Sequence, residues 1–161
     1  MSAQQRKLAI TALVVVVLDQ ISKALAVMHL ENNEPIKVLG SLLKFSFARN
    51  SGAAFSFATG ATFVFTALAF GACLGIIWYS KKISSTAWAI VLGAIFGGAL
   101  GNLLDRIFRT PKGFQGHVVD FIELPHYPIF NLADSAIFCA AIAGIVLTFR
   151  GVTVSETQAD K

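Results

Sequence analysis

Residues 84–104 read SSTAWAIVLGAIFGGALGNLL. The stretch carries no charge and no proline, and it matches the ~20 residues with which an α-helix crosses a hydrocarbon core. Gly93, Gly97 and Gly101 recur at four-residue steps with Gly98 beside them, so one helix face is bare and lets a neighbouring backbone approach closely. It is read as a membrane span held inside a bundle. Lys81 and Lys82 stand just before it, Asp105 and Arg106 just after it.

Three other stretches share this character: Leu8–His29, Thr59–Ser80 and Pro128–Phe149. Gly71 and Gly75 in the second of them predict close packing there as well. Of 161 residues 55% are apolar and 14% charged, with a mean hydropathy of +0.69, far from the composition of a soluble domain. The chain outside the spans is too short for a nucleotide-binding module or a zinc-finger array. A net charge of +4 suits anionic lipid. No basic stripe with interleaved aromatics suggests nucleic acid. Cys73 and Cys139 lie inside apolar segments and are expected to be unpaired.

Arg6 and Lys7 before an apolar run imitate a secretory signal peptide, but Asp19 and Lys23 interrupt the run, so a retained first span is expected. These two lie four residues apart in the order that favours a helical ion pair, and burial within the bundle follows from their depth. Four spans put both termini on one side. Lys81 and Lys82, crowded between spans two and three, mark that side as cytoplasmic. Segments 30–58 and 105–127 then face outward. Leu43, Phe45 and Phe47 alternate with Lys44, Ser46 and Ala48, which is strand periodicity; a sheet at the interface with Phe45 and Phe47 toward lipid is expected. Asn50–Phe55 reads as a turn, small at Gly52, close to another backbone. The tail from Gly151 to Lys161 reads as polar and frayed. The expected fold is an all-α membrane protein of four transmembrane helices with a small interfacial β-sheet in the outward-facing segment, one domain over 1–161.

Two acids concentrate the chemistry. Asp120 lies at the outer rim, and Asp134 lies about 9 Å below it if the fourth helix begins at Pro128. Residues 121–127, with Pro125 among them and Pro128 just after, are long enough to turn Asp120 back over the helix. Two carboxylates in a poorly solvated site keep one proton between them and offer a base and an acid together, which suits activation of water against an amide. Other readings stand beside this one. Asp120 is also readable as a solvated loop acid or a helix N-cap, with Asp134 paired to Arg106 or Asn102. His117, Asp120, His126 and Asp134 have metal-ligand chemistry but no known metal spacing. A lone intramembrane acid also suits proton transport in a channel or transporter subunit. Asn102/Asp105 and Asn131/Asp134 each repeat an Asn-x-x-Asp step that places both residues on one helix face, where an amide orients a carboxylate or holds extended substrate. Arg106 can pin Asp105, offset the charge of the acids or grip a lipid head group.

Five ordered blocks resemble the lipoprotein signal peptidase family, also called signal peptidase II: Asp19-Gln-Ile-Ser-Lys23, Asn50-Ser-Gly52-Ala-Ala-Phe55, Gly101-Asn-Leu-Leu-Asp-Arg106, Gly116-His-Val-Val-Asp-Phe121 and Phe130-Asn-Leu-Ala-Asp-Ser135. The resemblance implies a four-helix bacterial cytoplasmic-membrane aspartic endopeptidase with both termini cytoplasmic and its active site near the outer face. Asp120 and Asp134 match the catalytic pair. Asp19, Lys23, Asn50, Gly52, Asn102, Asp105, Arg106 and Asn131 would contact substrate or support the pair. The implied substrate is a prolipoprotein with a diacylglyceryl-modified cysteine; no cofactor or metal is implied, and the expected state is a monomer among membrane lipids. Ile107–Gln115 is longer than in many relatives, which bears on the shape of the rim.

Overall fold

The computed structural model describes residues 1–52, 61–111 and 113–155. Among the described residues four helices are long and apolar enough to cross a membrane. They are α1 (Ala3–Leu30), α2 (Ala61–Tyr79), α3 (Thr86–Phe108) and α4 (Leu132–Phe149). Their outward surface is apolar: Leu13, Val17 and Ile21 on α1, Phe63 and Leu68 on α2, and Phe138 and Ile145 on α4 are exposed. Such a surface is stable where hydrocarbon replaces water.

α3 is the central helix, as its glycines require. A Cβ added at Gly93 or Gly97 would lie 2.7 Å from the backbone oxygen of Leu8 or Ala12 on α1, and one at Gly98 would lie 2.6 Å from that of Ala133 on α4. Gly71 and Gly75 do not behave this way, since nothing lies within 4 Å of a Cβ at either. The α2 glycines face outward, and the expected close packing is confined to α3. Gly97→Val is accordingly expected to lower stability by about 3 kcal/mol through overpacking. Gly75→Val, facing open space, is expected to change it by less than about 0.5 kcal/mol. Thermal unfolding of both variants in detergent checks the contrast.

One end of the bundle gathers the start of α1, the α2–α3 turn and the end of α4. Gln4 donates to the Ser84 carbonyl at 2.8 Å, Lys7 to Thr86 Oγ1 at 2.7 Å, and Trp88 Nε1 to the Val152 carbonyl at 2.7 Å. The Ser84 amide donates to the Val154 carbonyl. Residues 152–154 are therefore docked and not frayed as expected; the tail beyond Ser155 lies outside the described residues.

A three-stranded antiparallel sheet caps the opposite end, in the order β1 (Ile36–Leu39), β2 (Leu43–Asn50), β3 (Val118–Glu123). Gly40, at φ +57°, makes the β1–β2 turn. The expected strand periodicity is present, but its orientation is reversed. Phe45 and Phe47 pack against Ala26, Leu30, Val119 and Phe121, with Phe45 edge-on to the Phe121 ring, because α1 and β3 together supply an apolar floor for the sheet. On the opposite face Ser46 is buried against Glu123, to which it donates a hydrogen bond, and Lys44 pairs with the same carboxylate at 3.0 Å. These contacts hold Glu123 below the ordinary glutamate range.

Candidate active site

β3 carries Asp120 into the protein. Val118, Val119, Asp120 and Phe121 are all buried, and Ala48 of β2 stands opposite Asp120 in the register. The strand is held to α3 at its entry. Gly116 donates to the Arg106 carbonyl at 2.9 Å, and a Cβ there would lie 2.4 Å from the Asp105 oxygen, so only glycine lets the chain cross this helix end. The Val119 amide then donates to Asp105 Oδ2 at 3.1 Å.

Asp134 arrives by a different route from the one its sequence position suggested. Helix α4 starts at Leu132, with Asn131 as its N-cap, and Asp134 completes a reciprocal capping box. Asp134 thus sits in the first turn at the helix mouth, and the expected start at Pro128, with Asp134 deep below it, is wrong. Pro128 favours extended backbone, and Phe130 bridges Ile122 of β3, which delays the helix to the first good cap.

The two acids meet around Asn131, which is fully buried. Its Nδ2 donates to Asp120 Oδ1 at 2.6 Å, while its backbone amide donates to Asp134 Oδ2 at 3.2 Å. Asn50 Nδ2 donates to the second Asp120 oxygen at 2.8 Å, and Asn102 Nδ2 donates to Asp134 Oδ1 at 2.8 Å. The Asn50 amide is oriented by Gly52, whose N–H donates to Asn50 Oδ1 at 2.7 Å. Gly52 needs its φ of +88°, and a Cβ there would press on Phe65 at 3.0 Å and Arg106 at 3.4 Å. The expected small turn is present this far; residues 53–55 lie outside the described residues. Burial, with the Asp134 charge adding to it, raises Asp120 from the ordinary aspartate range to about 6, against the lowering pull of the Asn50 and Asn131 hydrogen bonds.

Beneath the acids lies a fully buried ion cluster. Lys23 Nζ pairs with Asp19 at 2.8 Å and with Asp105 at 3.1 Å, and donates to Asn102 Oδ1 at 2.8 Å. Asp19 also accepts from the Ala133 amide at 3.0 Å. Arg109 and Gln20, which the motif reading missed, complete Asp105 at 2.7 and 3.2 Å. Their signals were present: Arg109 lies one helical turn after Asp105, and Gln20 lies next to Asp19. Asp105 is thus pinned by Lys23 and Arg109, not by Arg106. Arg106 is buried and faces the acids electrostatically, and its Nη1 has no hydrogen-bond partner among the described residues. His117 and His126 do not join the acids; among the described residues no three His, Cys, Asp or Glu side chains are grouped to hold a metal. Cys73 and Cys139 are unpaired.

Two cavities flank this core. One, of about 460 Å³, is lined by Asn50, Gly52, Phe65, Arg106, Asp120 and Pro128. The other, of about 420 Å³, runs from Asp134 along Leu124, Tyr127, Phe130, Phe138 and Cys139 and is almost wholly apolar.

The family model described as signal peptidase (SPase) II matches residues 11–150. Lipoprotein signal peptidases are among the relatives: that of Streptomyces coelicolor is 49% identical over 91% of this chain and 72% of its own length. That of Rhodococcus jostii is 44% identical over 96% and 79%, and that of Mycobacterium tuberculosis 43% identical over 96% and 78%. Two solved structures, each described as a bacterial membrane enzyme obtained by the in meso method, share the fold. The first has a TM-score of 0.76 at 25% identity, covering 94% of this chain and 93% of the other. The second has 0.77 at 26%, covering 88% and 91%. A match this long, with all five motif blocks contributing to the buried polar core, means that the chain belongs to the signal peptidase II family of bacterial membrane aspartic proteases.

Proposed function

We propose that Asp120 and Asp134 are the catalytic pair with which this membrane protease removes the signal peptide of prolipoproteins. The observation that carries the assignment is their joint dependence on Asn131, which brings carboxylates from β3 and α4 to one amide-lined site. Asp120, raised to about 6, is the member that keeps the shared proton. Asp134 is then the base that takes a proton from water as it attacks the peptide carbonyl. Asp120 donates to the developing oxyanion and afterwards assists the leaving amine. Asn50 and Asn131 orient Asp120, Asn102 orients Asp134, and Arg106 Nη1 offers a donor to a substrate carbonyl in the cavity beside Asp120. Asp19, Lys23 and Asp105 support the pair from below, and Gly52 leaves room for the peptide turn.

The substrate we assign is a precursor whose cysteine already bears diacylglyceryl, cut on the amino side of that cysteine. The signal helix brings the scissile bond to the interface, and the acyl chains fix its depth, each buried methylene contributing about 0.8 kcal/mol. The apolar cavity leading from Asp134 along α4 suits such chains. Both termini and Lys81/Lys82 are assigned to the cytoplasmic side, which puts the sheet and the acids at the outer face. The protein acts as one domain and as a monomer. Purified protein incubated with diacylglyceryl-bearing prolipoprotein is expected to release the signal peptide, seen by mass spectrometry. An intact fold that leaves this precursor uncut would overturn the assignment.

A further inference from the structure

Lys23 is fully buried in the polar core, and among the described residues its ammonium bonds to neither carboxylate of the catalytic pair. It has three protons and three acceptors: Asp19, Asp105 and Asn102 Oδ1. The two acids fix its position, so its third contact is a constraint on Asn102. An amide has two ends of opposite polarity. With Oδ1 held by Lys23, Nδ2 must point to the other side, where it meets Asp134 Oδ1 at 2.8 Å. Turned by half a rotation, the amide would set its NH₂ against the ammonium and its oxygen against the carboxylate, two repulsive contacts in a dry site. Asn131 Nδ2 adds a second, longer bond to Asn102 Oδ1 at 3.2 Å, in the same sense.

We propose that Lys23 is a positioning residue that sets the direction of the Asn102 amide and thereby keeps a hydrogen-bond donor on Asp134. The inference rests on the assignment of Asp120 and Asp134 as the catalytic pair. Its role differs from that of a structural counter-ion, because a counter-ion for Asp19 and Asp105 need not reach Asn102. Asp105 also keeps Arg109 when Lys23 is removed, whereas the Asn102 oxygen keeps only its contact with Asn131.

The consequence is kinetic and pH-dependent. The charged groups around Asp134 are Asp120 from β3, Arg106 from α3 and, through Asn102, Lys23 from α1; those around Lys23 are Asp19, Asp105, through Asp105 Arg109, and, electrostatically, Asp120. Loss of a donor to a carboxylate disfavours its charged form, so activity that needs this form appears only at higher pH.

The test compares Lys23→Met, Asn102→Ala and their combination, each purified in detergent and assayed on the diacylglyceryl precursor across pH. Lys23→Met is expected to lower kcat more than tenfold with KM within twofold, and to move the acid limb of the profile to higher pH. In the Asn102→Ala background the same replacement is expected to cost less than threefold, because the amide it acts through is gone. The double variant Asp19→Asn/Lys23→Met guards against misfolding: it removes the pair's charges together, and the new amide's oxygen still accepts from the Ala133 N–H. It is expected to unfold near the wild-type temperature while keeping the kinetic defect and the shifted limb. Losses that multiply independently, or a wild-type profile in the folded double variant, overturn the proposal. Failure of the underlying assignment looks different: Asp120→Asn or Asp134→Asn would then turn over substrate whatever the Lys23 variants do.

Discussion

Asp120→Asn and Asp134→Asn are each expected to lower kcat by at least ~10³-fold, with the protein still folded and extractable in detergent. An amide neither takes a proton from water nor gives one to an oxyanion, so each change removes one half of the proton transfer. The neighbouring Asn50, Asn102 and Asn131 hold the carboxylates but have no proton to exchange, so among the described residues no side chain bonded to either acid can take over. Asp105→Asn is a useful contrast. It weakens the contacts to Lys23 and Arg109 and loosens the Val119 amide, so its effect falls on stability and on the placement of β3. Its residual turnover is expected to exceed that of either catalytic variant. Turnover measured beside thermal unfolding for all three separates the roles.

The second large effect concerns the substrate. A precursor lacking diacylglyceryl is expected to be cut with a kcat/KM at least ~10²-fold lower, since two acyl chains contribute several kcal/mol of depth-fixing contact at about 0.8 kcal/mol per methylene. Without them the signal helix is free to slide along the membrane normal, and the scissile bond spends little time between Asp120 and Asp134. A bulky residue in the apolar cavity, such as Ser135→Trp, is expected to shrink the difference between the two precursors by acting on the lipidated one alone. Ser135 lines that cavity beside Asp134. Competition assays with both precursors in the same detergent measure the ratio directly.

Much of this arrangement was legible in the sequence, for reasons that particular residues make clear. The α3 glycines are read correctly because a four-residue step of bare positions leaves one helix face open to a neighbouring backbone, and α1 and α4 occupy that space. Gly71 and Gly75 have the same step and face open space, since the pattern does not say whether a partner is present. Asp19 and Lys23 declare their pairing by spacing, but the partners of Lys23 on α3, Asp105 and Asn102, lie some 80 positions away and become visible only when the helices pack. Alternation in Leu43–Asn50 marks a strand but not its inward face, which depends on β3. That strand went unread because Val118–Glu123 is buried on both faces at its start and shows no alternation. The site acids were legible as a pair; the helix start at Asn131, which decides where Asp134 sits, was obscured by an apolar run beginning at Pro128.

The dependence of kcat/KM on pH tests the single-proton pair most directly, because it reports the ionisation of the free enzyme. Asp120 is raised to about 6, so the proton that serves as general acid is present below that pH and lost above it. The expected profile has a descending limb with its midpoint near pH 6, falling about tenfold for each further pH unit. A kcat/KM that stays level or keeps rising from that midpoint to about two pH units above it would contradict it.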